Sequence, residues 1–282
     1  MQGPSYIVLA MVAALVGCTA PHRDFGTSAS SGSSSGGGAG GAGDGGTADP
    51  SGGDEAPDVA RDALFIWLAA NHGVTEQDGG VSHWKDQSGH GADATQGVAM
   101  ARPALVMDPV SKLPMVHFDG ENDALELPAG SADFSQGLSF FAVVRLDGDV
   151  KCPQIACFAN GPEVDDLCFG VNKGAPSYEV VDSSFEGASG TFPTMQTVLL
   201  SVVHTPPDQA EIRINGSFVQ GAKIPLPTNS MRRINLLGRT LYVGCPLWKG
   251  MIAEVALYRR AIDDSGRVEV EQYLKKKWGC CG

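Results

Sequence analysis

The eleven residues FDGENDALELP, Phe118 to Pro128, hold Glu121, Asp123 and Glu126 in the order E-x-D-x-x-E. Carboxyl groups so close in sequence suggest glycoside hydrolysis. There one acid serves as nucleophile and a second as acid/base, about 5–5.5 Å apart in retaining enzymes. Asp119-Gly120 is a turn dipeptide, however, and only Ala124 to Leu127 reads as a strand. Glu121 and Asp123 are then turn residues, and Glu126 alternates between apolar neighbours toward solvent. The three acids are not expected to converge, so no residue is assigned as catalytic and the chain is not expected to be an enzyme. PEVDDLC, Pro162 to Cys168, has Cys168 where a last acid would stand. Neither a G-x-S-x-G nucleophile elbow nor a P-loop occurs.

Calcium is the cofactor these loops can accommodate. It takes about six to eight oxygens from carboxylates, amides and carbonyls, and Asp86, Asp119, Asn122 and Asp123 lie in loops that can supply them. The competing reading is that Asp86 in DQSG and Asp119 in DG bond their own backbone as Asx turns. His83, His90, His117 and His204 are too scattered for a ligand set and read as surface or core residues. Trp67, Trp84 and Trp248 can stack on sugar rings only if exposed, and their positions favour packing. Beyond Cys18 there are six cysteines, Cys152, Cys157, Cys168, Cys245, Cys280 and Cys281. An even number in an exported chain favours disulfides, and the paired spacing of a zinc site is absent. Cys157 and Cys168 flank the turn-rich ANGPEVDD and are a candidate pair across a hairpin; the remaining connectivity stays open.

The elements that must position these residues are short and β-rich. Ala63–Ala69, Met115–Phe118, Leu138–Leu146, Thr197–His204, Glu211–Asn215, Leu241–Gly244 and Met251–Tyr258 are rich in Val, Ile, Leu and aromatics and separated by turn residues. They predict strands, and Asn215-Gly216 predicts a tight hairpin. With no strand–helix alternation, the fold class is all-β, a two-sheet antiparallel sandwich. One helix is predicted over Asp263–Trp278, where Val270, Leu274 and Trp278 recur at spacing four and Asp263 or Asp264 caps the start. Lys275-Lys276-Lys277 is read as a solvated helix end complementing the helix dipole.

The first 57 residues do not read as a packed domain. Met1 to Gly17 carry no charged side chain, and Ile7 to Val16 form an apolar run of ten, too short to span a bilayer but suited to an export signal. Leu15-Val16-Gly17-Cys18 resembles the lipobox of bacterial lipoproteins, which implies cleavage before Cys18, lipid on its thiol and anchoring in a membrane. Thr19 stands where an Asp often retains such proteins at the inner membrane, so the expectation is the outer membrane. Residues 19–57 are rich in Gly and Ser and predict a disordered tether of about 40 residues averaging about 35 Å end to end. Residues 58–282 form the expected globular domain. The formal net charge of −12 argues against a nucleic-acid partner.

Lys249 to Gly279, KGMIAEVALYRRAIDDSGRVEVEQYLKKKWG, resembles the closing strand and terminal helix of bacterial laminin G-like jelly-roll domains, within the concanavalin A-like lectin/glucanase superfamily. VSHWKDQSGHGADATQ, LPMVHFDGENDALELP and EIRINGSFVQ are similar to further segments of that family, and the resemblance extends over nearly all of residues 62–279. Relatives commonly read WLDA where this chain has Ala69. The resemblance implies a jelly-roll β-sandwich and a surface lipoprotein displaying a binding or adhesion module for carbohydrate or a surface protein. The alternatives are a glycoside hydrolase of the laminarinase type and a passive structural component of the envelope.

Overall fold

The computed structural model describes residues 58–180, 183–186 and 190–281 of the chain; the expected leader, Cys18 and the expected tether of residues 19–57 lie outside the described residues. Val-, Ile-, Leu- and Phe-rich segments form its strands. In chain order these are β1 (Leu64–Ala69), β2 (Val74–Gln77), β3 (Gly80–Trp84), β4 (Ala94–Thr95), β5 (Ala104–Met107) and β6 (Pro114–Asp119). There follow β7 (Leu125–Leu127), β8 (Gly130–Ser131), β9 (Leu138–Leu146), β10 (Gln154–Ala159), β11 (Leu167–Asn172), β12 (Ala175–Val180) and β13 (Ser183–Glu186). The last are β14 (Thr197–Thr205), β15 (Gln209–Ile214), β16 (Ser217–Lys223), β17 (Met231–Arg232), β18 (Ile234–Leu237) and β19 (Lys249–Tyr258), before one helix, α1 (Asp264–Trp278).

The strands make two antiparallel layers. The first has eight strands in the order β16-β15-β14-β9-β19-β6-β5, with β1 also paired to β19; the second has nine, β13-β12-β11-β10-β18-β7-β4-β3-β2. A two-stranded ribbon joins β8 to β17. The chain changes layer between β1 and β2, β4 and β5, β6 and β7, β7 and β9, β9 and β10, β13 and β14, β16 and β18, and β18 and β19, which is how a jelly roll wraps one chain around one core. Phe140 on β9 stacks on Phe169 of β11 across the layers, with centroids 3.9 Å apart, and Phe169 continues onto Tyr178 of β12 at 5.2 Å. The Tyr178 hydroxyl lies 2.8 Å from Nδ1 of His204, whose Nε2 is 3.0 Å from the Ile224 carbonyl. With the Ile224 carbonyl requiring a donor, the imidazole donates from Nε2 and accepts from Tyr178, which is the neutral form.

Local chemistry explains most boundaries. Asn215 and Gly216 both take positive φ, 54° and 79°, as a two-residue hairpin between twisted strands requires. Asp263 caps α1 by accepting from the Gly266 amide at 2.8 Å, and Gly279 closes it at φ 58°. The predicted stripe of Val270, Leu274 and Trp278 is buried. Leu241–Gly244, expected as a strand, is instead a loop. Its apolar residues do not pair: Val243 is fully exposed, and Cys245 at its end is bonded to Cys152. The other disulfides are Cys157–Cys168, directly opposite in the β10–β11 register, and the neighbours Cys280–Cys281.

Lys277 departs from the expectation of a solvated helix end. Its ammonium lies 2.9 Å from Oε2 of Glu254, with side chains only 4% and 1% exposed. Glu254 on β19 also accepts from the indole N–H of Trp67 on β1 at 2.7 Å and of Trp278 on α1 at 2.8 Å. One buried carboxylate therefore joins two strands and the helix. Glu254→Ala should cost about 3–5 kcal/mol in urea unfolding, because it leaves a buried ammonium and two indole donors without their acceptor; a loss below about 1 kcal/mol would show that the cluster is dispensable. His204 sets an acid limit. Burial lowers its pKa from 6.5, so its contribution is complete above the unfolded value and is lost as pH falls through the folded one. Stability should drop below about pH 6.5 by up to about 1.4 kcal/mol per pH unit, and His204→Gln should flatten that limb in denaturation curves measured from pH 7 to 5.

Candidate ligand-binding site

The acids singled out in the sequence are committed to loops and a strand. Asp119 Oδ1 accepts from the amides of Glu121 at 2.8 Å, Asn122 at 3.2 Å and Asp123 at 3.4 Å, and Asp123 Oδ2 accepts from the Asp119 amide at 2.8 Å. Burial opposes ionisation of Asp119, but its three N–H donors hold its pKa low, whereas burial raises that of Asp123. Glu121 and Asn122 are exposed. Glu126 is exposed in the middle of the second sheet, in register with Leu236 and Thr95. In PEVDDLC, Asp165 accepts from Asn160 and Thr228, and Asp166 from the Glu163 amide.

Asp86 stands apart from that turn and is 5% exposed. Its Oδ1 accepts from the amides of Trp67 at 2.9 Å and Ser88 at 3.0 Å, and its Oδ2 from the Ser88 hydroxyl at 2.6 Å and the Ala92 amide at 3.1 Å. Among the described residues no group of three His, Cys, Asp or Glu side chains is placed to hold a metal. His83 lies 3.0 Å from Asp93, His204 is in the core, and Trp67, Trp84 and Trp248 are buried, offering no face to a sugar.

What Asp86 does is position a pocket. The loop it ties down runs over β1, where the Ser88 hydroxyl, whose one proton goes to Asp86 Oδ2, lies 3.0 Å from the Phe65 carbonyl, and carries His90, Gly91 and Ala92 to the pocket rim. The pocket opens at one end of the seam between the two layers and holds about 150 Å³. That is about the volume in which an apolar cavity accepts one benzene ring. Its floor is apolar, with Ile66 and Leu257 from the first sheet and Leu127, Phe158 and Leu167 from the second, all buried. Phe65 and Phe134 form its sides. His90 leans on Phe65 with ring centroids 5.8 Å apart, and the Arg259 guanidinium sits 5.2 Å over the same ring.

Two polar side chains face this apolar space. Asn235 donates from Nδ2 to the carbonyls of Pro128 at 2.7 Å and Arg232 at 3.2 Å, which fixes its amide orientation, and its buried Oδ1 has no hydrogen-bond partner among the described residues. Arg232, on the β8–β17 ribbon, donates from Nε to the Asp165 carbonyl at 2.7 Å and from Nη2 to the Thr228 carbonyl at 3.2 Å. Its Cζ lies 5.9 Å over the Phe134 ring, and Nη1 has no hydrogen bond among the described residues. The site thus sets two polar side chains beside a hydrophobic floor, the usual composition of a small-molecule pocket.

No protein-family model matches the chain, and no curated protein matches it. Solved structures do. Domain 4 of AbnA, a GH43 extracellular arabinanase from Geobacillus stearothermophilus solved in complex with arabinotriose, is similar at a TM-score of 0.58 and 15% identity, over 74% of this chain and 98% of that one. Trypanosoma rangeli sialidase in complex with sialic acid is similar at 0.52 and 14%, over 76% of this chain and only 33% of the sialidase. The binding domain of botulinum neurotoxin DC in complex with rat synaptotagmin II gives 0.53 and 11%, over 76% and 52%. The likeness is one of fold. The same two-layer antiparallel β-sandwich thus occurs in parts of two sugar-cleaving enzymes and in a toxin binding domain.

Sequence reasoning missed the pocket because its walls come from β1, β7, β8, β10, β11, β17, β18 and β19, and because its aromatic residues are phenylalanines rather than the tryptophans that draw attention. The one local signal was Arg232 beside Arg233 in SMRRIN, where a basic pair precedes a buried strand. Asp86→Ala should lower stability by about 2–4 kcal/mol, from the loss of charge-assisted bonds to buried donors. It should do so equally in calcium and in EDTA, as read by thermal melting; a loss seen only in calcium would assign the residue to a metal site instead.

Proposed function

We propose that the protein is a binding module of the cell envelope that takes a sugar ring into the pocket between β1 and the β8–β17 ribbon. The observation that carries this reading is the pairing of an unpartnered acceptor, Asn235 Oδ1, and an unengaged donor, Arg232 Nη1, over a floor of phenylalanine and aliphatic side chains. A sugar has the matching faces: C–H groups that lie against an aromatic ring, and hydroxyls that both donate and accept. The fold supports the reading by analogy alone, since similar sandwiches accompany sugar-active proteins.

The resemblance of Leu15-Val16-Gly17-Cys18 to a lipobox supports display at a membrane. Lipid on Cys18 would anchor the protein, at the outer membrane given Thr19, and residues 19–57 would hold the domain clear of the lipid headgroups. The partner is then a glycan or glycosylated surface rather than nucleic acid. Glycoside hydrolysis is a second reading, favoured by the two similar structures that belong to sugar-cleaving enzymes. Release of reducing sugar from a glycan that the protein binds, abolished by Glu121→Gln, would establish it.

A glycan array probed with the full-length chain, with a calcium arm, tests the proposal. Binding should be found and should weaken roughly threefold to tenfold in Phe65→Ala, which removes one half-buried aromatic wall. Binding that Phe65→Ala leaves unchanged would move the site away from this pocket, and a blank array in both arms would favour a passive envelope component.

A further inference from the structure

Resting on the glycan reading above, we propose that the sugar this pocket accepts carries a carboxylate, so that the protein recognises an acidic glycan with Arg232 as its anchor. Arg232 is 3% exposed, and arginine is rarely so buried without an anionic partner. The protein follows that rule elsewhere: Arg267, also buried, has Glu271 Oε2 at 2.8 Å, and Lys277 has Glu254 Oε2 at 2.9 Å. Among the described residues Arg232 donates only to neutral backbone carbonyls, those of Asp165 and Thr228, and lies over the Phe134 ring.

The two acids that act on Arg232 through space make no salt bridge to it among the described residues, although Asp166 keeps a buried Oδ1 without a partner there. The side chain of Asp165 is held by Asn160 Nδ2 at 2.9 Å and Thr228 Oγ1 at 3.0 Å, and Asp166 Oδ2 accepts from the Glu163 amide at 2.9 Å. Both act on the guanidinium through space, yet burial outweighs them and lowers its pKa from the ordinary arginine value. A cation removed from water without a contacting anion is costly, and a ligand carboxylate reaching Nη1 would supply that anion in a charge-assisted bond.

The surroundings select the rest of the ligand. Asn235 Oδ1 is an acceptor and repels a carboxylate, so the acid group must turn to the Arg232 side while a hydroxyl or amide N–H of the same ring donates to Asn235. Arg259 over Phe65 and His90 at the rim add basic groups around the mouth of an otherwise acidic chain. The acid on that side, Asp133, is exposed and accepts from the Ser135 amide at 2.8 Å. The occupant that fits is a ring bearing both a carboxylate and free hydroxyls, as in a uronate or sialate residue, and not a neutral sugar.

The test compares glycans that differ only at the acid. The full-length chain is titrated calorimetrically with uronate- and sialate-containing oligosaccharides, with the same oligosaccharides after carboxyl reduction to the alcohol, and with neutral hexose and pentose oligosaccharides. The acidic form should bind, and its reduced form should bind roughly tenfold to a hundredfold more weakly, the range for a hydrogen bond to a charged group. Arg232→Met should bring the acidic ligand to the level of its reduced form. Asn235→Asp, which places an anion in the pocket, should weaken the acidic ligand more than the reduced one. The comparison of ligands on the unaltered protein stands even where a variant does not fold. Neutral oligosaccharides binding as tightly as acidic ones would overturn this proposal and leave the glycan reading intact, whereas no sugar of either kind binding would overturn both.

Discussion

The carboxylate of Glu254 is the interaction on which the arrangement of this protein turns. It is 1% exposed, accepts from two indoles and pairs with an ammonium, so its cost of burial is offset only while all three partners stay in place. Those partners come from β1 and α1, while Glu254 itself belongs to β19, the strand that pairs with β9 along one side and with β6 and β1 along the other. The register shifts between Ile252 and Glu254, next to the carboxylate. Fixing Glu254 therefore fixes how β1 meets the sheet, and the same two strands continue to Phe65, Ile66 and Leu257 in the pocket wall.

The pocket exists because two kinds of constraint meet at the seam between the layers. Apolar packing closes most of that seam, with Phe140, Phe169 and Tyr178 stacked through it. At the end where β1, the β8–β17 ribbon and the loop after β3 come together, polar groups stand in the wall and the packing stops short. Asp86 holds that loop through two backbone amides of its own segment and one of β1. Asn235 ties the chain after β7 to β17 through two carbonyls. A carboxylate that resembles a cation ligand in the sequence thus serves as a loop clamp, and an amide that drew no attention there supports the site.

Much of the architecture was legible because it rests on short-range rules. Alternating apolar residues specify strands, Asn215-Gly216 specifies a hairpin, and Asp263 with the Val270, Leu274 and Trp278 stripe specifies a capped amphipathic helix. The turn around Asp119 was legible for the same reason, since an Asx turn is built from residues two to four apart. Leu241–Gly244 misled because its composition resembles a strand while its neighbours give it no ladder to join. Lys277 misled because a lysine in a last helical turn ordinarily reaches solvent, and only the presence of Glu254 on a strand more than twenty residues earlier turns it inward.

By itself the sequence determined the class of fold, the terminal helix, the hairpin and the turn that keeps Glu121 and Asp123 off the strand of Glu126, because each depends on periodicity or on neighbours a few residues apart. Tertiary structure alone decided that Phe65, Phe134 and Phe158 enclose one cavity with Arg232 and Asn235, and that Arg232 is buried there without a contacting anion among the described residues. Those facts depend on which strands become neighbours and on how far each side chain is removed from water, and that is a property of the packed layers rather than of any local stretch of chain.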